Sequence, residues 1–291
     1  MADTDSGSVE PEAPAQPAKT SRAGRDLPAA IAVSCLMGFG TIAILVFAPL
    51  LWVVMLAVAM PVATHEVVRR LRSAGYAIPV IPLILGGQAM IWLTWPFGPA
   101  GALGGFVATV LVCMVWRLLS QGLQGQPVNY LRDVSVTVFI AAWIPLCGAF
   151  GALLVYPPDG AARVFALMLG VAFSDIGGYT AGVLFGKHRM VPSISPKKSW
   201  EGFAGSLICG TTAVVLAVVF LLHKPVWVGL AMGVLLVLTA TLGDLVESQV
   251  KRDLGIKDMG TLLPGHGGLM DRIDGALPSA AVTWIVLTLL A

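Results

Sequence analysis

Acidic side chains with helical spacing mark one segment of this chain as a place where chemistry could occur. Asp244 lies three residues before Glu247, four before Ser248 and seven before Lys251, so these side chains share one face of a helix. The face begins at the edge of an apolar stretch, where a carboxylate normally needs a cation or a charged partner. The spacing therefore indicates a functional carboxylate at Asp244.

A second pair of acids follows in the same segment. Asp271 and Asp274 are three residues apart at the start of the last apolar stretch, where the helix dipole also favours a carboxylate. Mg²⁺ takes oxygen ligands and is commonly held by one or two carboxylates together with substrate phosphates. Nearby Lys and Arg side chains can neutralise the remaining phosphate charge. The two carboxylate clusters therefore suit Mg²⁺ and a phosphate-bearing substrate.

A glycine-rich turn separates the two acidic clusters. Its sequence, Gly-His-Gly-Gly at 265–268, can turn tightly and let backbone N–H groups approach an anion. We interpret His266 as a phosphate contact or a structural support, because phosphoryl transfer depends mostly on positioning and electrostatics. The alternative for this loop is a solvated segment of mixed charge, and it stays open for Asp253, Lys257 and Asp258.

An earlier polar segment carries two adjacent lysines. Residues 195–199, Ser-Pro-Lys-Lys-Ser, precede a predicted helix at about Trp200, so their amines and hydroxyls could cradle phosphates at a helix N-terminus. The alternative is a topological anchor with Trp200 as an interfacial aromatic residue. Asp175 lies inside an apolar run upstream, where it either lines a polar cavity or pairs with a basic residue.

The elements that position these segments are predicted to be membrane helices. Charged residues make up only 12% of the 291 residues, about half the usual ~25%, and 57% are apolar. The mean hydropathy is +0.85. A soluble protein of this size needs more charge to stay dissolved. We therefore predict an all-α polytopic membrane protein.

Apolar stretches predict nine transmembrane helices. The uncharged run from 28 to 64 is too long for one helix across a ~30 Å hydrocarbon core, so we expect it to fold back near Phe47-Ala48-Pro49. The polar, acid-containing residues 1–27 are predicted to form a disordered cytoplasmic tail, and 28–291 the transmembrane catalytic domain. The other predicted spans are about 78–95, 98–118, 134–155, 162–186, 203–222, 225–243 and 276–291.

Positive charge predicts the orientation of these helices. All but two of the 18 Lys and Arg residues, Arg163 and Lys224, fall on one side of the nine-helix arrangement. The positive-inside rule places that side in the cytoplasm. We therefore expect a multi-pass protein of the cell membrane whose N-terminus and active site are cytoplasmic.

The second polar segment resembles a known family signature. Residues 248–274, SQVKRDLGIKDMGTLLPGHGGLMDRID, are similar at every fixed position to the signature of phosphatidate cytidylyltransferases, also called CDP-diacylglycerol synthases. Residues 195–202, SPKKSWEG, and 174–188, SDIGGYTAGVLFGKH, resemble two further motifs of that family. The signature region therefore extends over 174–274.

The resemblance implies a reaction and a set of site residues. CTP and phosphatidic acid would give CDP-diacylglycerol and pyrophosphate, with Mg²⁺ and a second cation such as K⁺. It implies a membrane lipid as partner, no nucleic acid, and a homodimer. The candidate catalytic residues are Asp244, Asp271, Lys251 and Arg252; the candidate substrate-binding residues are Ser195, Lys197, Lys198, Ser199, Ser248, Lys257, His266, Gly267, Gly268 and Arg272; the candidate metal ligands are Asp244, Asp271 and Asp274.

Two other functions are compatible with parts of this pattern. A related CTP-dependent enzyme could act on an ether lipid or a polyprenol, because lipid-facing Leu, Val and Ala residues do not specify the tail. An ion-coupled transporter could use Asp175 and Asp244, but it would place acids near the bilayer midplane among broken helices and repeats. Here the acids cluster at the cytoplasmic ends of the predicted helices, which favours the enzyme.

Overall fold

The computed structural model describes residues 38–120, 122–123, 126, 128–262 and 267–290. The predicted tail 1–27 and His266 lie outside these residues. The helices are α1 (Gly38–Phe47), α2 (Leu51–Ser73), α3 (Val80–Trp92), α4 (Thr94–Ser120), α5 (Tyr130–Ala141), α6 (Cys147–Leu153), α7 (Gly160–Phe185), α8 (Trp200–Phe220), α9 (Val226–Asp253), α10 (Met270–Ile273) and α11 (Ala276–Leu289), with a π-helical turn, Ala142–Leu146, between α5 and α6.

The membrane-type helices agree in part with the nine predicted spans. A helix break lies where the fold-back is predicted, because α1 ends at Phe47 and α2 begins at Leu51. Within the described residues, six helical segments are long and apolar enough to cross a membrane: α2, α4, α5 to α6, α7, α8 and α9. Helices α3 and α11 have 13 and 14 residues and reach only about 20 Å at 1.5 Å per residue. Nine spanning helices therefore stay a prediction.

One small β-hairpin interrupts the helical architecture. Strands β1 (Arg189–Val191) and β2 (Ser195–Ser199) pair antiparallel, and β2 is the lysine segment that the sequence places before a helix. The helix begins at Trp200 as predicted, since the Ser199 hydroxyl accepts a hydrogen bond from the Gly202 N–H at 3.1 Å and caps α8. Within the described ranges, the regular elements are therefore helices and this one hairpin.

Hydrogen bonds place the predicted basic connections at one end of the helix bundle. Arg132 at the start of α5 donates to the turn after α2 at 2.6 Å. Arg70 in α2 donates to the loop after α9 at 2.8 Å, and Arg252 at the end of α9 donates to the hairpin at 3.2 Å. The connections that follow α2, α4, α7 and α9 therefore meet on one face, as the charge pattern predicts.

Helices α7, α8, α9 and α11 pack together below this face. The Ser206 hydroxyl of α8 donates to the Ser174 carbonyl of α7 at 2.7 Å. Helices α9 and α11 approach closely at Gly243, where an added Cβ would lie 2.5 Å from the Asp274 carbonyl oxygen. A larger residue at this position would separate Asp244 from the start of α11, so Gly243 brings the two acidic clusters together.

Candidate active site

A cavity of about 550 Å³ opens between α7, α8, α9 and the start of α11, with the β-hairpin at its edge. Five acidic and four basic side chains line it, together with apolar residues such as Val171 and Phe203. A pocket lined by both charged and apolar side chains suits a ligand that has a phosphate headgroup and a hydrocarbon part. The charged lining residues are Asp175, Asp244, Glu247, Asp271, Asp274, Lys197, Lys198, Lys251 and Arg272.

Three carboxylates in this cavity lie close enough to share a cation. Asp244, Glu247 and Asp274 each offer an oxygen atom within 4.8 Å of the other two. Glu247 is almost fully buried, and its Oε1 atom has no hydrogen-bond partner within the described part of the chain. A buried, unpaired carboxylate oxygen is costly unless a ligand satisfies it. The cluster therefore has the composition and the unmet bonding capacity of a metal site.

Burial and electrostatic crowding also affect Asp274. Burial and the nearby Asp244 carboxylate raise the pKa of the Asp274 carboxyl to about 6. Its Oδ1 atom accepts the Gly275 N–H at 2.8 Å, which opposes the rise. A bound cation would remove this repulsion and favour the ionised form. The direction of the pKa change thus agrees with a cluster that needs positive charge.

Asp271 is engaged differently from the other acids. Its Oδ1 atom accepts from Lys251 Nζ at 3.0 Å, and its Oδ2 atom accepts the Gly268 N–H at 2.8 Å and the Met259 N–H at 3.1 Å. Burial acts to raise the pKa of Asp271, but Lys251 and these N–H groups lower it below its usual value. Asp271 is thus a fixed anion at the cavity wall. Its role as a metal ligand stays a prediction.

Two lysines link the acids across elements. Lys198 Nζ from β2 lies 2.6 Å from Asp244 Oδ2 of α9, which joins the two polar segments predicted from the sequence. Lys251 contacts both Glu247 and Asp271, so it ties α9 to the short α10. Each amine therefore holds a carboxylate and faces the same cavity. Such amines can contact a phosphate when one is bound.

The remaining candidates occupy different places. Ser248 donates to Asp244 Oδ1 at 3.2 Å, and the backbone of Gly268 holds Asp271, so both support the acids. Arg252 and Lys257 are exposed and lie outside the cavity lining. Ser199 lines the cavity and caps α8. Ser195 and Gly267 are in the hairpin and the loop after α9 and do not line the cavity.

Sequence reasoning missed two contributors to this site. Glu247 was recognised on the face of Asp244 but was not included among the metal ligands, although its three-residue spacing was the available signal. Glu66 of α2 was not singled out, yet its carboxylate accepts the N–H groups of Leu269 and Met270. No local pattern around Glu66 identifies a partner that lies 203 residues away.

The comparisons with known proteins agree on one family. The model of a cytidylyltransferase family matches residues 28–290. A Mycobacterium bovis protein named phosphatidate cytidylyltransferase is 63% identical over 100% of both chains. The Mycobacterium leprae protein of that name is 66% identical, over 93% of this chain and 90% of its own. A Staphylococcus haemolyticus protein of that name is 32% identical over 67% of this chain and 74% of its own. The similarity includes the N-terminal helices.

Proposed function

Because the chain belongs to the cytidylyltransferase family, we propose that the cavity between α7, α8, α9 and α11 is its active site. The protein is a membrane-bound phosphatidate cytidylyltransferase of phospholipid synthesis, which converts CTP and phosphatidic acid into CDP-diacylglycerol and pyrophosphate. The observation that carries the proposal is the carboxylate cluster Asp244, Glu247 and Asp274 beside Lys198 and Lys251. This cluster is explained without either alternative function, a polyprenol kinase or an ion-coupled transporter.

The chemistry requires two anionic substrates to be brought together. A phosphate oxygen of phosphatidic acid attacks the α-phosphorus of CTP, the bond from that phosphorus to the bridging oxygen of the β-phosphate breaks, and pyrophosphate leaves. Lys197 and Lys198 line the cavity, where they can bind phosphate oxygens and offset repulsion between the two anionic substrates. The apolar lining beside Phe203 can hold the glycerolipid near the membrane. Positioning and electrostatics then account for most of the catalysis.

The donor set fits Mg²⁺. All three clustered side chains offer carboxylate oxygens, and Glu247 Oε1 is buried with no hydrogen-bond partner among the described residues. Asp244, Glu247 and Asp274 would hold the ion, with Asp271 nearby as a further candidate. Bound Mg²⁺ supplies neutralisation of charge on the transferring phosphoryl group. A second cation such as K⁺ and a homodimer stay predictions.

A product assay tests the site and its cation together. Purified protein is incubated with labelled CTP, phosphatidic acid and Mg²⁺, and lipid-linked CMP is measured before and after chelation of the metal. We expect product only with Mg²⁺ and with phosphatidic acid as acceptor. Undiminished product after chelation, in protein shown to be free of divalent metal, would contradict the proposed Mg²⁺ role.

We also propose that the face with the hairpin and the basic connections is cytoplasmic, in the cell membrane. Single cysteines at Ala74 and Thr261, both exposed on this face, should react only with reagents applied from inside. A cysteine at Asp159, before α7, should react only from outside. The measurement uses an active background without the four native cysteines. Labelling of Thr261→Cys from outside would reverse the proposed orientation.

The hairpin lysines provide a second prediction about the site. Lys197→Ala and Lys198→Ala each remove a charge-assisted phosphate contact, so we expect kcat/KM for CTP or phosphatidic acid to fall by about 10-fold or more. The effect of Lys198→Ala should be larger, because Lys198 also holds Asp244 at 2.6 Å. Steady-state kinetics in detergent micelles measure both. Wild-type kinetics in both variants would reduce the hairpin to a topological anchor.

A further inference from the structure

Glu66 is a buried carboxylate in a helix that the signature motifs do not include. It lies in α2, its exposed fraction is 8%, and it points at the short helix α10. Its Oε1 atom accepts the Leu269 N–H at 3.1 Å, and its Oε2 atom accepts the Met270 N–H at 2.9 Å. Both oxygens of one side chain are therefore used on two successive backbone groups.

These two backbone groups belong to the start of α10, which carries Asp271. The first N–H groups of a helix have no partner within the helix and usually bond to a Ser, Thr, Asp or Asn side chain just before it. The residue just before α10 is Leu269, whose apolar side chain offers no acceptor. Glu66 supplies the missing acceptors from α2 and thereby fixes the direction in which α10 begins.

The same end of α2 also contacts the second backbone segment that donates hydrogen bonds to Asp271. Arg70 lies one turn after Glu66, and its Nε–H donates to the Met259 carbonyl at 2.8 Å. The Met259 N–H in turn donates to both Asp271 oxygens, at 3.2 and 3.1 Å. One turn of α2 thus contacts both backbone segments that donate hydrogen bonds to the Asp271 carboxylate.

Close packing leaves little freedom in this arrangement. A Cβ added at Gly260 would lie 2.2 Å from Glu66 Oε1, and one at Gly268 would lie 2.6 Å from Glu66 Oε2. Backbone and carboxylate therefore approach as closely as glycine allows. The position of Glu66 and the path of the loop around it determine each other.

We infer that Glu66, assisted by Arg70, is a positioning residue of the reaction, which holds the Asp271 backbone in register with the carboxylate cluster of α9. The inference rests on the proposed active site. It extends that site to α2, outside the 174–274 signature region. Residues that orient the direct ligands of a metal or substrate typically change affinity or activity by about 10- to 100-fold when they are replaced.

The test compares Glu66→Gln and Glu66→Ala with Arg69→Gln, an exposed neighbour on the same helix. We expect both Glu66 variants to lower kcat and to raise the Mg²⁺ concentration for half-maximal activity, each by about 10-fold or more. Hydrogen exchange supplies a readout that does not depend on turnover. The peptide that contains Leu269 and Met270 should exchange faster in the Glu66 variants and at the wild-type rate in Arg69→Gln.

A purely structural role would give a different pattern. It would lower yield or Tm but leave kcat per folded molecule and the Mg²⁺ dependence unchanged, and that result would overturn the inference. If Glu66→Ala fails to fold, Arg70→Gln keeps Glu66 in place and removes only the bond to Met259. It should still raise the Mg²⁺ requirement, and an unchanged requirement would also overturn the inference.

The outcome also separates this inference from the proposed site. Asp271→Asn is prepared in parallel. Activity lost in Asp271→Asn but normal in the Glu66 and Arg70 variants would reject the positioning role and leave the site intact. Full activity in Asp271→Asn would instead remove Asp271 from the proposed active site.

Discussion

Asp244→Asn, Glu247→Gln and Asp271→Asn should each lower kcat by about 100-fold or more, because each removes a negative charge from the wall of the proposed active site. The substitutions keep side-chain size and most hydrogen bonding. We expect the proteins to insert and to fold. Steady-state kinetics over a Mg²⁺ titration, with Tm measured in the same detergent, separate loss of catalysis from loss of structure.

A measurement of Tm provides a second test for Glu247. The carboxylates of Glu247, Asp244 and Asp274 repel one another in the absence of a cation, so Glu247→Gln should reduce the rise in Tm that added Mg²⁺ produces. The matched control is Asp253→Asn, an exposed acid at the end of α9, which should have nearly wild-type kinetics. Near-normal activity in Asp244→Asn or Glu247→Gln, together with an inactive Asp253→Asn, would show that the metal site has been misplaced.

Lys251→Met should cause the second largest change, and it should affect both stability and activity. The Lys251 amine pairs with Glu247 and Asp271, whose side chains are 1% and 6% exposed. Removing one partner of a buried ion pair leaves charges uncompensated, which typically destabilises by about 3 kcal/mol or more. We expect Tm to fall by about 5 °C or more and kcat to fall by about 100-fold, since α9 and α10 lose their link.

Two comparisons check the cause of that loss. Lys187→Met removes an exposed lysine near the hairpin and should leave Tm unchanged. Added Mg²⁺ should restore part of the Tm of Lys251→Met, because a cation bound by the cluster offsets the charge that was lost. A Lys251→Met protein with wild-type Tm and wild-type kcat would mean that the ion pairs do not hold the site together.

The membrane class and the main chemical groups were predictable because both depend on local sequence. Hydropathy over 20 residues defines an apolar helix, and the helix break near Phe47 follows from helix length alone. The three-residue spacing of Asp244 and Glu247 defines a shared helical face. The number of spanning helices was less predictable, since helix bounds decide it and α3 ends at Trp92 after only 13 residues.

Local structure around the lysines was predictable only in part. Ser199 caps α8 as its residue type suggests, because a hydroxyl can accept the orphan N–H groups of a helix start. The strand that precedes it was not predicted. Two short strands gain their stability from pairing with each other, and the Ser-Pro-Lys-Lys-Ser sequence contains no alternating apolar pattern that would indicate this.

The sequence by itself determined that this protein is a helical membrane protein with carboxylates and lysines for phosphate chemistry, because composition and spacing along one helix carry that information. Only the tertiary structure decided which of these groups meet. Lys198 pairs with Asp244, and Lys251 pairs with Asp271. The carboxylates of Asp244, Glu247 and Asp274 lie together in one cluster. The tertiary structure also brings Glu66 to the start of α10. These contacts depend on how distant helices pack, so no local pattern in the chain specifies them.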